Sequence, residues 1–242
     1  MTYCLGILVR DGLVLASDSR SNAGVDQVTR VKKLTVLART PERIVCLQSA
    51  GNLATTQEVE AQLRKASGSG TIGRDILAAE TFFDVAGAVG DWLREVTEAD
   101  RKYVEPYSDV TAAFLVSGQI EGEPRRLFQV YPAGNFVEAG DRAPFLQIGE
   151  TKYGRPILDR ALRTTSSLDE AAKLALLSFD ATLRSNLSVG QPIDLLRYRA
   201  DSFGSAEIDT FEDDDPYWRD LSVAYSRGLA ALVDSLPSPP AV

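Results

Sequence analysis

Met1-Thr2-Tyr3-Cys4-Leu5-Gly6-Ile7-Leu8-Val9-Arg10-Asp11-Gly12-Leu13-Val14-Leu15-Ala16-Ser17-Asp18-Ser19-Arg20 is the stretch from which the fold is read. Two short apolar runs flank Arg10-Asp11-Gly12, a pattern that predicts a β-hairpin. A strand beginning at residue 2 puts the amino terminus inside the structure. Thr2 follows the initiator methionine, and removal of Met1 before a small residue leaves Thr2 with a free α-amine beside its hydroxyl. Those two groups on adjacent carbons are a self-contained nucleophile and base.

Working outward, a polar connection from Ser19 to Thr29 contains Asn22, Gly24 and Asp26. Strands are expected at 31–38 and 43–49, turned by the segment containing Pro41. Four consecutive strands on short turns predict one antiparallel sheet. Asn52 is the expected N-cap of a helix from Leu53 to about Arg64. A Gly/Ser-rich loop follows at 66–73. Phe83, Val85, Val89, Trp92, Leu93 and Val96 recur at helical spacing and predict a longer helix over 81–103.

Strands return at 110–116, 126–131, 135–139 and 144–148, the expected second antiparallel sheet. Helices are expected at 154–163 and at 168–184, the latter opened by a capping-box-like Ser167-Leu168-Asp169-Glu170. Further strands are expected at 192–199 and 206–211. A final amphipathic helix over 215–236 repeats Tyr217, Leu221, Ala224, Tyr225, Leu229 and Leu232, as a core or subunit contact does. The acidic run before it, Glu212 to Asp215, is read as helix N-terminal charge rather than a metal site. The order sheet, helices, sheet, helices predicts an α+β fold, a four-layer αββα sandwich of two stacked antiparallel sheets flanked by helices. One domain is expected over 1–236, with a short Pro-rich tail at 237–242.

The 26 basic and 34 acidic residues leave a net charge of −8, which argues against nucleic acid or an anionic membrane as partner. No apolar run reaches the ~20 residues of a membrane span, and a cytoplasmic location is expected. The chain contains no histidine. That removes Ser-His-Asp and Cys-His hydrolases and most catalytic zinc sites together, so a hydrolase built here needs an amine or a lysine as its base. No metal or cofactor is implied. Cys4 and Cys46 lie in apolar strand-like runs and are expected as two buried thiols acting as small hydrophobes.

Thr2-Tyr3-Cys4-Leu5-Gly6-Ile7, Asp18-Ser19-Arg20, Lys32-Lys33-Leu34 and Ser49-Ala50-Gly51 before a helix resemble proteasome β subunits and related N-terminal-nucleophile hydrolases. More narrowly, Ser17-Asp18-Ser19-Arg20-Ser21-Asn22-Ala23-Gly24-Val25-Asp26, Gly51-Asn52-Leu53-Ala54-Thr55-Thr56-Gln57 and Arg184-Ser185-Asn186-Leu187-Ser188-Val189-Gly190 resemble the bacterial proteasome-related Anbu family, over essentially the whole chain. The resemblance implies Thr2 as nucleophile, Asp18 and Lys33 as its activating pair, and Gly51 as the oxyanion-binding N–H. It also implies Asn22 as a contact to the substrate backbone and Ser188 as the serine near the nucleophile. Two positions depart from the family pattern around the amine. Ser185 or Asn186 stands for an aspartate, and Glu150, after Gly149, stands for a serine.

The implied activity is a threonine peptidase or amidase acting on a peptide or amide substrate through an acyl-enzyme. Either the α-amine or a neutral Lys33 would be the base. The implied assembly is a ring-like or helical homo-oligomer. Two alternatives stand beside it: an assembly subunit with an idle nucleophile, and an N-terminal-nucleophile amidase for small amides.

Overall fold

The computed structural model describes residues 2–23 and 27–240, with the side chains of residues 22, 23, 27 and 28 excepted. Met1, Gly24 and Asp26 lie outside the described residues, as do the last two residues of the tail. The hairpin is β1 (Tyr3–Val9) and β2 (Gly12–Asp18). A ribbon follows, β3 (Arg20–Ala23) with β4 (Gln27–Arg30), in which Asn22 is opposite Val28. Then come β5 (Leu34–Arg39), β6 (Arg43–Gly51), α1 (Leu53–Ala66) and α2 (Phe82–Val104). The second half holds β7 (Ala112–Ile120), β8 (Arg126–Val130), β9 (Phe136–Glu138), β10 (Phe145–Gly149), α3 (Arg155–Ala161), α4 (Leu168–Ser185), β11 (Ile193–Arg199), β12 (Ile208–Phe211) and α5 (Pro216–Ser235).

The fold is α+β with antiparallel pairing throughout, but its strands are distributed differently from expectation. One sheet runs β10-β1-β2-β11-β12, the other β5-β6-β7-β8-β9. The four strands expected in one sheet are therefore two hairpins in two sheets, and the expected polar connection contains the β3–β4 ribbon. Alternation fixes which face of a strand is apolar, whereas the pairing partner depends on where the chain crosses over. Here the crossing lies between Asp18 and Leu34.

Period-2 alternation accounts for the burial of β1 and β2 on both faces. Tyr3, Leu5, Ile7, Val14 and Ala16 pack with Leu158 of α3 and Ala175, Leu176 and Phe179 of α4. Cys4, Leu13 and Leu15 instead pack with Leu34, Ile44, Cys46 and Leu115 of the other sheet. On β6 the neighbours Val45 and Leu47 point the opposite way, into a cluster with Val59 of α1 and Val85, Val89 and Leu93 of α2. Both cysteines are free and buried.

Helix starts follow their caps. Asn52 Oδ1 accepts the Thr55 N–H at 3.2 Å, and Ser167 with Glu170 forms a capping box. Asp215, from the acidic run, caps α5 through the Trp218 N–H at 2.9 Å. The expected apolar repeat of α5 is not core in this chain. Trp218 is its buried residue, while Tyr217, Leu229 and Leu232 are 49%, 46% and 52% exposed. A helical period names an apolar face without saying that the same chain covers it. Among the described residues no helix is long and apolar enough to cross a membrane.

Candidate active site

The site is built from the first turnings of β1. Tyr3 is fully buried: its ring stacks on Phe179 with centroids 4.3 Å apart, and its hydroxyl meets Ser178 Oγ at 2.6 Å and Gln147 Nε2 at 2.7 Å. Burial pushes its phenol up to about 12, so it stays protonated and able to donate. With Tyr3 anchored toward α4, Thr2 lines a cleft together with Ser21, Lys33, Ser49 and Gly51. The main chain of Thr2 is held as well. Its carbonyl accepts the Glu150 N–H at 2.6 Å, and the preceding residue, Gly149, has φ +82° with no room for a side chain: a Cβ there would stand 1.9 Å from Thr2 O.

Asp18 ends β2 with a side chain of 0% exposure, and Lys33, just before β5, is 7% exposed. Lys33 Nζ donates to Asp18 Oδ1 at 2.7 Å and to the Arg20 carbonyl at 2.6 Å. The same Oδ1 takes the Tyr3 N–H at 2.9 Å, while Oδ2 takes the N–H groups of Arg20 at 3.2 Å and Gly190 at 3.3 Å. Burial pushes the Asp18 carboxyl up, and the Lys33 ammonium with the N–H groups of Tyr3 and Gly190 pulls against it. A carboxylate has about four acceptor sites, which matches these four donors. The pair is thus a fixed charge arrangement one residue from Thr2.

Gly51 ends β6 at φ +114°, where a Cβ would lie 2.4 Å from Thr111 O. The conformation needs glycine, and it puts Gly51 on the wall of the cleft that Thr2 lines. Ser188 follows α4, half-buried, with its N–H on Asn186 Oδ1 at 2.9 Å. Asn186 Nδ2 donates in turn to Glu150 Oε2 at 3.0 Å. Ser188 is therefore connected to Thr2 through Asn186 and Glu150, while Ser185, the other residue set against the family's aspartate, ends α4. Asn22 lies on β3, and its side chain is outside the described residues.

The structure thus brings Thr2, Asp18, Lys33 and Gly51 together, with Ser188 behind them. Sequence reasoning missed the backbone groups: the Tyr3, Glu150 and Gly190 N–H and the Arg20 carbonyl. Main-chain groups carry no side-chain pattern to read, and only Gly149 and Gly190 hinted that the chain comes close there.

Neither a protein-family model nor a curated protein matches this chain. Solved structures do. An Anbu (Gly-1) mutant from Hyphomicrobium sp. strain MC1 is 44% identical with a TM-score of 0.92, covering 100% of both chains. Anbu (ancestral β-subunit) from Yersinia bercovieri is 40% identical, TM-score 0.92, over 99% of this chain and 100% of that one. The helical assembly of the Anbu complex from Pseudomonas aeruginosa contains a chain 42% identical, TM-score 0.92, over 99% of this chain and 98% of that one. At such identity over its full length, this chain belongs to the Anbu (ancestral β-subunit) family.

Proposed function

We propose that this protein is a proteasome-like threonine peptidase or amidase whose nucleophile is Thr2 after removal of Met1. The observation that carries the reading is the buried Lys33–Asp18 pair at 2.7 Å, bonded through Asp18 Oδ1 to the Tyr3 N–H and lining, through Lys33, the cleft of Thr2. The hydroxyl proton passes to the α-amine, whose ordinary pKa of roughly 7.7–8.0 leaves much of it neutral near pH 7–8. Thr2 Oγ1 then bonds to the carbonyl carbon. Lys33 supplies positive charge beside the developing alkoxide, and Gly51 N–H stabilises the oxyanion, a contribution of about 2.7–4 kcal/mol per donor in other enzymes. The α-ammonium returns its proton to the leaving amine as the C–N bond breaks. Water, deprotonated by the same amine, hydrolyses the resulting ester.

The finer architecture and assembly belong to the same reading. We take the three clusters, helix against sheet, sheet against sheet and sheet against helix, as support for a four-layer αββα domain over 1–236. The protein works in the cytoplasm as a homo-oligomer. A second reading, an assembly subunit with an idle nucleophile, is favoured by the exposed apolar residues of α5 and by the helical assembly of the similar chain.

Intact mass and a β-lactone probe test the proposal. Expected are loss of Met1 and one probe adduct on wild type, none on Thr2→Ala. Retained Met1, or a free Thr2 that takes no probe, overturns the enzyme in favour of the assembly subunit. A peptide-library digest against a small-amide panel then separates peptidase from amidase.

A further inference from the structure

The cleft that Thr2 lines carries an unbalanced charge. Three of its lining side chains are ionic: Lys32, Lys33 and Glu60. Two of them are neutralised within the chain. Lys33 is paired with Asp18 at 2.7 Å, and Glu60 Oε1 takes Arg64 Nε at 3.0 Å and Nη2 at 2.8 Å. Lys32 is exposed and has no ion pair among the described residues. Residues 31–33 are irregular chain between β4 and β5, so strand alternation does not send Lys32 and Lys33 to opposite faces, and both line the cleft.

α1 supplies a further wall. Leu53, Thr56, Gln57 and Glu60 recur at i, i+3, i+4 and i+7 and so share one face of that helix. Burial separates a floor from a mouth: Lys33, Ala50 and Thr56 are buried, whereas Lys32 and Gln57 are exposed. The open space is about 40 Å³, well short of the roughly 150 Å³ that holds a benzene ring. With a substrate carbonyl held between Thr2 and Gly51, the side chain of the residue that donates the carbonyl enters this space. A short side chain fits, and its polar end then lies toward the mouth.

We propose that Lys32 selects substrates with a short acidic side chain on the residue that donates the scissile carbonyl, aspartate above its neutral isostere asparagine. This rests on the threonine-nucleophile reading above, which places the carbonyl. The selection is electrostatic and modest, because an ammonium at an exposed mouth acts through solvent and is screened by salt. Glu60, the opposite charge on the same wall, does not favour a basic side chain in its place, since Arg64 already occupies it.

The test is the affinity of the Thr2→Ala protein, which binds without turnover, for fluorescent tripeptide amides ending in aspartate, asparagine, lysine or phenylalanine, read by anisotropy. Aspartate is expected to bind about three- to fivefold tighter than asparagine at low salt, and phenylalanine weakest. Adding Lys32→Met removes the aspartate preference, Lys32→Glu reverses it in favour of lysine, and about 0.5 M salt shrinks it. Equal binding of aspartate and asparagine, a preference that survives Lys32→Met, tightest binding of phenylalanine, or no binding at all overturns the inference. Tightest binding of lysine overturns it as well, and assigns the cleft to Glu60. The β-lactone adduct on wild type is scored separately. An aspartate preference without an adduct leaves the selectivity of the cleft standing and removes the enzyme, while an adduct without the preference does the reverse.

Discussion

A Cβ on Gly149 would stand 1.9 Å from the carbonyl oxygen of Thr2, and Gly149 sits at φ +82°, where only glycine is at ease. Gly149→Ala is thus expected to displace Thr2 without altering any group that does chemistry. We expect a stability loss of about 1–3 kcal/mol from backbone strain and a larger proportional loss of probe labelling. Urea melts and labelling rates on the same preparation check this. Full labelling would mean that Thr2 is not held by β10.

Asp18 and Lys33 predict an asymmetric pair of substitutions. Asp18→Ala leaves the Lys33 ammonium buried with the Arg20 carbonyl as its remaining partner, and removal of one member of a buried pair costs about 3–5 kcal/mol. Lys33→Met leaves Asp18 with three N–H donors, from Tyr3, Arg20 and Gly190. It is expected to melt closer to wild type. Both abolish labelling. Equal destabilisation would count against the hydrogen-bond arrangement at Asp18.

That arrangement also shows what could be read from sequence. The Arg10-Asp11-Gly12 turn, the Asn52 and Ser167 caps and the helical spacing of Val85, Val89 and Leu93 are local, and the structure follows them. Asp18 and Lys33 were legible only through the resemblance, because an acidic and a basic residue 15 positions apart carry no periodic signal. The pairing of β1 with β10 and of β2 with β11 was not legible, since pairing across more than a hundred residues leaves no trace in alternation. The face of α5 was read as a core or subunit contact, and of those two this chain supplies the first at Trp218 alone.

Alkaline pH should weaken the fold through its thiols. Burial pushes Cys46 from 9.0 up to about 12, and Cys4 higher still. Above pH 9 the unfolded chain loses these protons while the folded chain keeps them, so stability falls as pH rises from there. At pH 10 the loss is about 1.4 kcal/mol per thiol. Urea midpoints from pH 8 to 11 measure the slope, and Cys46→Ala should flatten it. An equal slope would show that the thiols are not kept protonated by the core.

Tyr3→Phe removes the hydroxyl shared with Ser178 and Gln147 while keeping the ring on Phe179. Leaving those buried groups short of a partner costs about 1–3 kcal/mol. Labelling should change little, because Tyr3 reaches Asp18 through its main-chain N–H. Thermal melting and labelling separate the two effects.

Gly190 N–H reaches Asp18 across 172 positions of chain, and β1 finds its outer neighbour only in β10. A ribosome that has released the first half of this protein has therefore released a hydrophobic hairpin whose outer neighbour, β10, is still to come. The surroundings of Thr2 are therefore completed by topology only when synthesis has passed residue 190, because the strand beside it and the N–H that reaches Asp18 are among the later parts of the chain to emerge.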